Sequence, residues 1–444
     1  LLLSFSWLAL QNCFRIQFFL CVLYTGYYKL KKNMTRRLLF VLLLFIHVSC
    51  LAQTHTLEYY ITQAMANSPL LKEYNNQYLS GLIDSQRLRA TYKPQVNATS
   101  TNSYAPVLNG YGYDQVITNI GGYSALINVD KAFIGRKNIS AQYAAIHLQN
   151  DSLLVSKKIS EQDLKRTITA QYITAYGDLQ QLNFNMEVSR LLSNEDTILR
   201  KLAQSNVYKQ TDYLTFRVTL QQQQLQLRQL RIQYQTNLAN LNYLCGIYDT
   251  SAAILSAPDI NVIALPDLTS SAFFHKYLLD SLKLQNSISI LNYSYRPKLN
   301  AFVNSGWYSS LLFESYKNFG VGFGLNLTVP IYDGNQRRLQ YRKIKLQEDT
   351  RVNYRDFFTR QYNQQIAQLM QQLKATEQLI TDINDQVKYT ETLIQVDAKQ
   401  MQTGDTRIAD YVIAINNYLA TKNLLTQNSI NRMQIITQIN YWNR

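Results

Sequence analysis

Few residues in this sequence are equipped for chemistry, and they lie far apart. Histidines occur at 47, 55, 147 and 275, with no spacing that would bring two of them onto one metal ion. Cysteines fall at 13, 21, 50 and 245, and only Cys245 follows Cys50, so neither a disulfide framework nor a thiolate metal site is expected. Hydrolysis or group transfer needs a nucleophile, a base and an orienting group in one cluster, and no such set is visible. The sequence reads as a non-enzyme without cofactor or metal. Two carboxylates nevertheless share a setting. Asp212 stands in Thr211-Asp212-Tyr213-Leu214 and Asp410 in Ala409-Asp410-Tyr411-Val412. Each opens a helical pattern, where a carboxylate caps or charges the first turn. If three-fold symmetry brought copies of Asp410 together, they would repel one another and attract cations.

The elements that carry these aspartates are duplicated. Tyr92-Lys-Pro-Gln-Val-Asn97 resembles Tyr295-Arg-Pro-Lys-Leu-Asn300, and Asp130 stands to Pro94 as Asp333 stands to Pro297. Each half therefore reads as helix, strand, loop, strand, very long helix, turn and helix. The halves divide at residues 53–255 and 256–444.

The strands carry most of the information. From Phe319 to Ile331 every odd position is apolar, whereas the even positions are Gly320, Gly322, Gly324, Asn326, Thr328 and Pro330. That is period-2 alternation over a length that suits a lipid-facing strand better than a sandwich strand. Its partner runs from Lys298 to Tyr308. A weaker, more polar pair covers Gln95–Tyr104 and Gly121–Val129. Tyr104, Tyr111, Tyr113, Trp307, Tyr308, Phe313 and Tyr316 gather at strand ends and loops, which fits a membrane–water girdle or ordinary sheet aromatics.

After each hairpin comes an uninterrupted helical pattern. Ile366, Leu369, Leu373, Ile380, Ile383, Val387 and Ile394 form a heptad seam, matched in the first half by Leu164, Ile168, Ala175, Leu179, Leu182 and Met186. A helix of about 70 residues is roughly 100 Å long, too long for a compact domain. The remaining faces are rich in Gln and Asn, as in the glutamine run 221–224, and suit either a solvated coiled coil or an uncharged tunnel wall.

Met34-Thr-Arg-Arg37, the apolar run Leu38–Val48 and Cys50-Leu51-Ala52 read as a signal peptide over residues 34–52, cleaved before Gln53. Residues 1–33 read as an upstream extension, with an anchor at Phe18–Tyr28 as the competing reading. Lipidation at Cys50 is a second alternative, although His47 stands where that signal prefers Leu. The net charge of +15 is no nucleic-acid signature: Arg15, Lys29, Lys31, Lys32, Arg36 and Arg37 precede residue 53, and the other cations form no dense stripe. No apolar run after Gln53 is long enough for a spanning helix. Any membrane crossing falls to strands, and four per chain cannot close a barrel, so the chain is expected to oligomerise.

Three features carry a family likeness: the entry Ala64-Met-Ala-Asn-Ser-Pro69, the strand-to-helix run Val329-Pro-Ile-Tyr-Asp-Gly334, and the turn Gly404-Asp-Thr-Arg-Ile-Ala-Asp410. In this order, within two tandem halves, they resemble the TolC outer-membrane efflux family over residues 55–442. The resemblance implies an α+β membrane protein: a homotrimer with a twelve-stranded β-barrel in outer-membrane lipid, four strands per chain, continued by a long periplasmic α-helical barrel. It implies a passive exit duct of a tripartite efflux or type I secretion system, docked to a periplasmic adaptor and an inner-membrane transporter. A periplasmic coiled-coil adaptor or scaffold is the alternative. It further implies a pore constriction at Asp410 and Ile413, the latter standing where the family often has a second acid. A tip latch is implied at Thr211, Asp212, Gly404 and Arg407. Thr406 occupies the position of the family's latch arginine, and Met401 that of a family tyrosine, so the latch is expected to be wired differently.

Overall fold

The computed structural model describes residues 54–114, 121–249, 253–263, 271–310 and 316–442. The leader, the upstream extension, Cys50 and Phe313 lie outside them. The chain divides into two compact units. In the smaller, β1 (Thr54–His55) and β4 (Ile254–Leu255) form a short parallel pair.

The larger unit follows the expected order twice. Its first half comprises α1 (Leu57–Asn67), α2 (Pro69–Thr91), β2 (Gln95–Tyr104), β3 (Gly121–Phe133), α3 (Arg136–Gln204) and α4 (Gln210–Cys245). Its second half comprises α5 (Ala272–Ser294), β5 (Lys298–Ser309), β6 (Phe319–Thr328), α6 (Gln336–Thr403) and α7 (Ile408–Trp442). Local chemistry sets the boundaries. Ser68 accepts from the Leu71 amide and Pro69 opens α2, where its missing N–H costs nothing. Gly246 ends α4 with a left-handed φ of 66° that a side chain would resist. No helix among the described residues is long and apolar enough to cross a membrane.

The four long strands form one antiparallel sheet in the order β2-β3-β5-β6. Its register decides which side chains share a face. Val129, Val303 and Phe323 stand in line, as do Ile127, Ser305 and Val321, and Phe133, Leu299 and Leu327. The opposite face carries Asn97, Asn128, Asn304 and Gly322 in one row, and Asn300 beside Asn326 in another. Glycines on the polar face of β6 make room for β5. A Cβ on Gly324 would lie 2.6 Å from the Phe302 ring, and one on Gly322 would lie 2.5 Å from the Asn304 carbonyl oxygen. The alternation in β6 is thus apolar on one side and deliberately small on the other. β6 stops at Thr328 rather than the expected Ile331, because Pro330 has no N–H to give a ladder. β3 runs to Phe133 rather than Val129, because Lys131–Phe133 find partners on β5.

α3 and α6 are 69 and 68 residues long, and each folds back on a shorter helix. The second-half seam is placed as expected, with Leu369, Leu373, Ile383, Val387 and Ile394 buried and Ile366 and Ile380 half-buried. The first-half seam departs at Met186, which is exposed; Asn185 and Val188 are buried instead. The cause is polar. Gln223 donates to Asn185 at 2.9 Å. Above this pair, Gln233 and Asn237 donate to the buried Asp178 at 2.7 and 2.5 Å. Gln171 donates to the Asn237 carbonyl at 3.0 Å. This ladder fixes how α3 and α4 slide along one another.

Phe323 is 86% exposed in the middle of the apolar face. Asn304 lies at the same depth on the polar one. In a bilayer, Phe323→Lys should cost about 2–4 kcal/mol and impair assembly, whereas Asn304→Lys should assemble normally. Heat-modified gel migration of membrane-extracted protein reads the difference. Equal tolerance at both positions would remove the apolar face from lipid.

Candidate functional site at the helical turns

The two aspartates sit where the long helices reverse, and both turns are built alike. After α3, Asn206 adopts a left-handed φ of 63°, and the Val207 amide donates to the Leu202 carbonyl at 3.0 Å. After α6, Gly404 has φ 85°, and the Asp405 amide donates to the Gln400 carbonyl at 2.9 Å. Each left-handed residue returns an amide to the last turn of its helix. The turns touch, since a Cβ on Gly404 would lie 3.2 Å from Val207 Cγ1.

Behind them lies a core drawn from all four long helices. Leu192 and Leu199 of α3, Phe216 and Leu220 of α4, Ile394 and Met401 of α6, and Ile408, Tyr411 and Ile415 of α7 pack together. Tyr411 is fully buried, and burial pushes its hydroxyl well above the usual tyrosine range. Neither that hydroxyl nor Glu195 Oε2 has a hydrogen-bond partner among the described residues. Burial also raises the Glu195 carboxyl. Burial, and then the charge of Asp410, raises that of Asp397.

The expected site residues fall as follows. Asp410 lies in the first turn of α7, where Arg407 grips its carboxylate with two hydrogen bonds of 2.9 and 3.0 Å. Ile413, one turn on, is 58% exposed, and Asp410 is partly exposed beside it. The two point off the same side of α7. Asp212 is half-buried in the first turn of α4, and Thr211 beside it is exposed. Within one chain Arg407 is engaged by Asp410, and Gly404 supplies the turn geometry.

Two contacts had no sequence signal. The Tyr208 hydroxyl stands 2.7 Å from the Met401 carbonyl and 2.8 Å from the Thr406 carbonyl, sharing one proton between them. It bolts the first-half turn to the second-half turn. Burial, and then Asp405, holds that hydroxyl above its usual range. The second contact is Asp196, which receives Arg200 at 3.1 Å and Arg217 at 2.9 Å and ties α3 to α4 just behind the turn. Neither tyrosine nor aspartate is marked by a motif.

Tyr208→Phe removes the bolt while keeping the ring. The amides of the 401–406 turn should then exchange with deuterium about fivefold to tenfold faster, the loss of roughly one net hydrogen bond. Amides at 223–237, far along the ladder, should be unaffected. Unchanged exchange at 401–406 would show that the hydroxyl contributes nothing.

No family model matches the chain, and no curated protein matches it. Solved structures do. A structure of CusC, described for its transmembrane channel formation, superposes with a TM-score of 0.71 at 12% identity, covering 88% of this chain and 92% of that one. The outer-membrane protein VceC from Vibrio cholerae gives 0.70 at 14% identity, over 87% and 96%. The MtrE outer-membrane channel of Neisseria gonorrhoeae, in its open state, gives 0.69 at 11% identity, over 87% and 88%. At such identities the likeness is one of fold. Two tandem halves, each a strand pair followed by a pair of long helices and together forming one four-stranded sheet, make the fold of the TolC-type outer-membrane channels, and this chain has it.

Proposed function

We propose that three copies of this chain form an outer-membrane exit duct, a passive conduit that catalyses no reaction. The observation that carries this reading is the four-stranded sheet with one apolar face, one polar face and two open edges. β2 and β6 run in opposite directions, so β6 of one copy can pair antiparallel with β2 of the next. Pairing repeated three times closes twelve strands and leaves no edge, the condition for strands in lipid. The apolar face then meets lipid and the asparagine-lined face encloses water. The sheet's apolar face also argues against the adaptor alternative, which has no use for it.

The helices would continue the duct into the periplasm, where an adaptor and an inner-membrane transporter would dock. Asp410 and Ile413 would converge at the narrow end, one ring of carboxylates above one apolar ring. Thr211 and Asp212 would link to Arg407 and Gly404 of the other helix pair and hold the tip packed. The Arg407–Asp410 pair modifies this picture, because each ring carboxylate carries its own counter-charge.

Two experiments test the reading. Purified protein in detergent should be a trimer by light scattering and should conduct in planar bilayers. A monodisperse monomer ends the shared-barrel proposal. Asp410→Asn should weaken block by trivalent cations about tenfold, whereas Arg407→Gln should strengthen it by exposing the ring charge. Unaltered block in both variants would reduce Asp410 to a helix-capping residue.

A further inference from the structure

At the junction of sheet and helices, a cavity of about 430 Å³ lies between the end of β3, the start of α3, the end of α5 and the start of β5. Arg136, Lys137, Arg296 and Lys298 line it, and no carboxylate does. The carboxylate nearest in sequence, Asp130, stands two residues before Ala132 on β3, in register with Gln95 and Phe302 and outside the lining, whereas Asp333 is engaged by the Arg337 amide at 2.8 Å and by the Tyr295 hydroxyl. Arg296 is held in place by stacking on Tyr293, 4.8 Å from the ring centre. Four cations around one cavity repel one another unless an anion joins them. Two guanidinium forks and two ammonium groups match a tetrahedral, multiply charged oxyanion better than a single carboxylate. The adjoining first turn of α3 has no side-chain cap, which adds to the same positive field.

We propose that this cavity is a binding site for phosphate groups. Its frame consists of the interior elements of the protomer. β3 and β5 are the central strands, so neighbouring copies joining at β2 and β6 do not cover it. Of the four strand residues that line it, Ala132, Asn300 and Lys298 have the parity of the polar face and Phe133 that of the apolar one. The cavity therefore opens on the side that a closed barrel turns to its lumen. Its occupant is a phosphate-bearing solute in the duct; a phospholipid headgroup has the same chemistry from the opposite side. The lumenal placement rests on the duct reading, whereas the anion binding does not.

The test uses the full-length protein in detergent, titrated with inorganic pyrophosphate by calorimetry. The wild type should bind, and more weakly as salt rises. The Arg296→Gln/Lys298→Gln pair should lose at least tenfold in affinity, and the charge-keeping Arg296→Lys/Lys298→Arg pair should retain most of it. Arg342→Gln/Lys343→Gln, cations on α6 outside the cavity, should bind as the wild type does. Absence of wild-type binding, or equal loss in the two glutamine pairs, overturns the site. The titration is then repeated in nanodiscs with and without phosphatidylglycerol. Binding that persists in both supports the solute. Binding abolished by phosphatidylglycerol assigns the cavity to a lipid headgroup and overturns the lumenal placement. Protein that binds pyrophosphate but carries no current in planar bilayers refutes the duct and upholds the phosphate site.

Discussion

The constraint on which the rest depends is that backbone N–H and C=O groups cannot be left unpaired in an apolar medium. Four strands with an apolar face make such a medium the natural surroundings of the sheet, yet its outer strands offer two unpaired edges. Neither edge is blunted in the way of a soluble sheet. β2 and β6 are each ten residues long and contain no proline, and β6 has no charge. Closure with further copies would resolve the conflict. It would also set the long helices: β3 and β6 lead straight into α3 and α6, so closing the sheet would arrange those helices in a ring.

Helices this long must be kept in register by something other than apolar contact. Apolar seams tolerate sliding by a heptad, because leucine and isoleucine find equivalent holes one repeat along. Hydrogen-bonded polar pairs do not. Asp178 with Gln233 and Asn237, Asn185 with Gln223, and Asp196 with Arg217 recur along α3 and α4, each specific to one offset. Losing Gln223 would leave the buried Asn185 side-chain oxygen without its donor, at about 1–3 kcal/mol. The richness in Gln and Asn that is ambiguous in the sequence is in part this register device. Along α6 and α7 the corresponding tie is a more exposed ion pair, Arg432 with Glu377 at 3.0 Å. Register there rests more on the apolar seam.

What is legible in the sequence follows the same division. Period-2 alternation in β6 and the second-half heptad are strong because a single face is buried, or bared, along the whole element. Met186 misleads because the α3 seam passes through Asn185, whose partner Gln223 lies on another helix and leaves no local trace. Tyr208 is invisible for the same reason. Its two acceptors are backbone carbonyls, which no side-chain pattern announces. Asp410 and Arg407 are both evident as helix-start residues, but their mutual pairing depends on rotamers rather than on spacing alone. The four cations of the junction come from two distant segments that only the β3–β5 register brings together.

The duplicated halves are unequal at the tip, and the inequality bears on how the tip could loosen. Tyr208 reaches from the first-half turn across to the second. The equivalent second-half position, Thr406, turns its hydroxyl back to Gln400 at 2.7 Å within its own turn. One bolt therefore joins the α3–α4 pair to the α6–α7 pair at their extreme ends. Behind it, Glu195 Oε2, Asp196 Oδ1 and the Tyr411 hydroxyl are buried with no hydrogen-bond partner among the described residues, so the packed tip carries a desolvation penalty that separation of the pairs would relieve by hydration. Tight apolar packing around Phe216, Met401 and Ile408 opposes that separation. Burial raises the Glu195 carboxyl, so the packed form favours the protonated acid. The stabilisation from that proton is complete at low pH and is lost as pH rises through the raised value. One hydroxyl and an apolar cluster thus hold the tip packed against the desolvation of its buried polar atoms, and a proton on Glu195 favours the packed form.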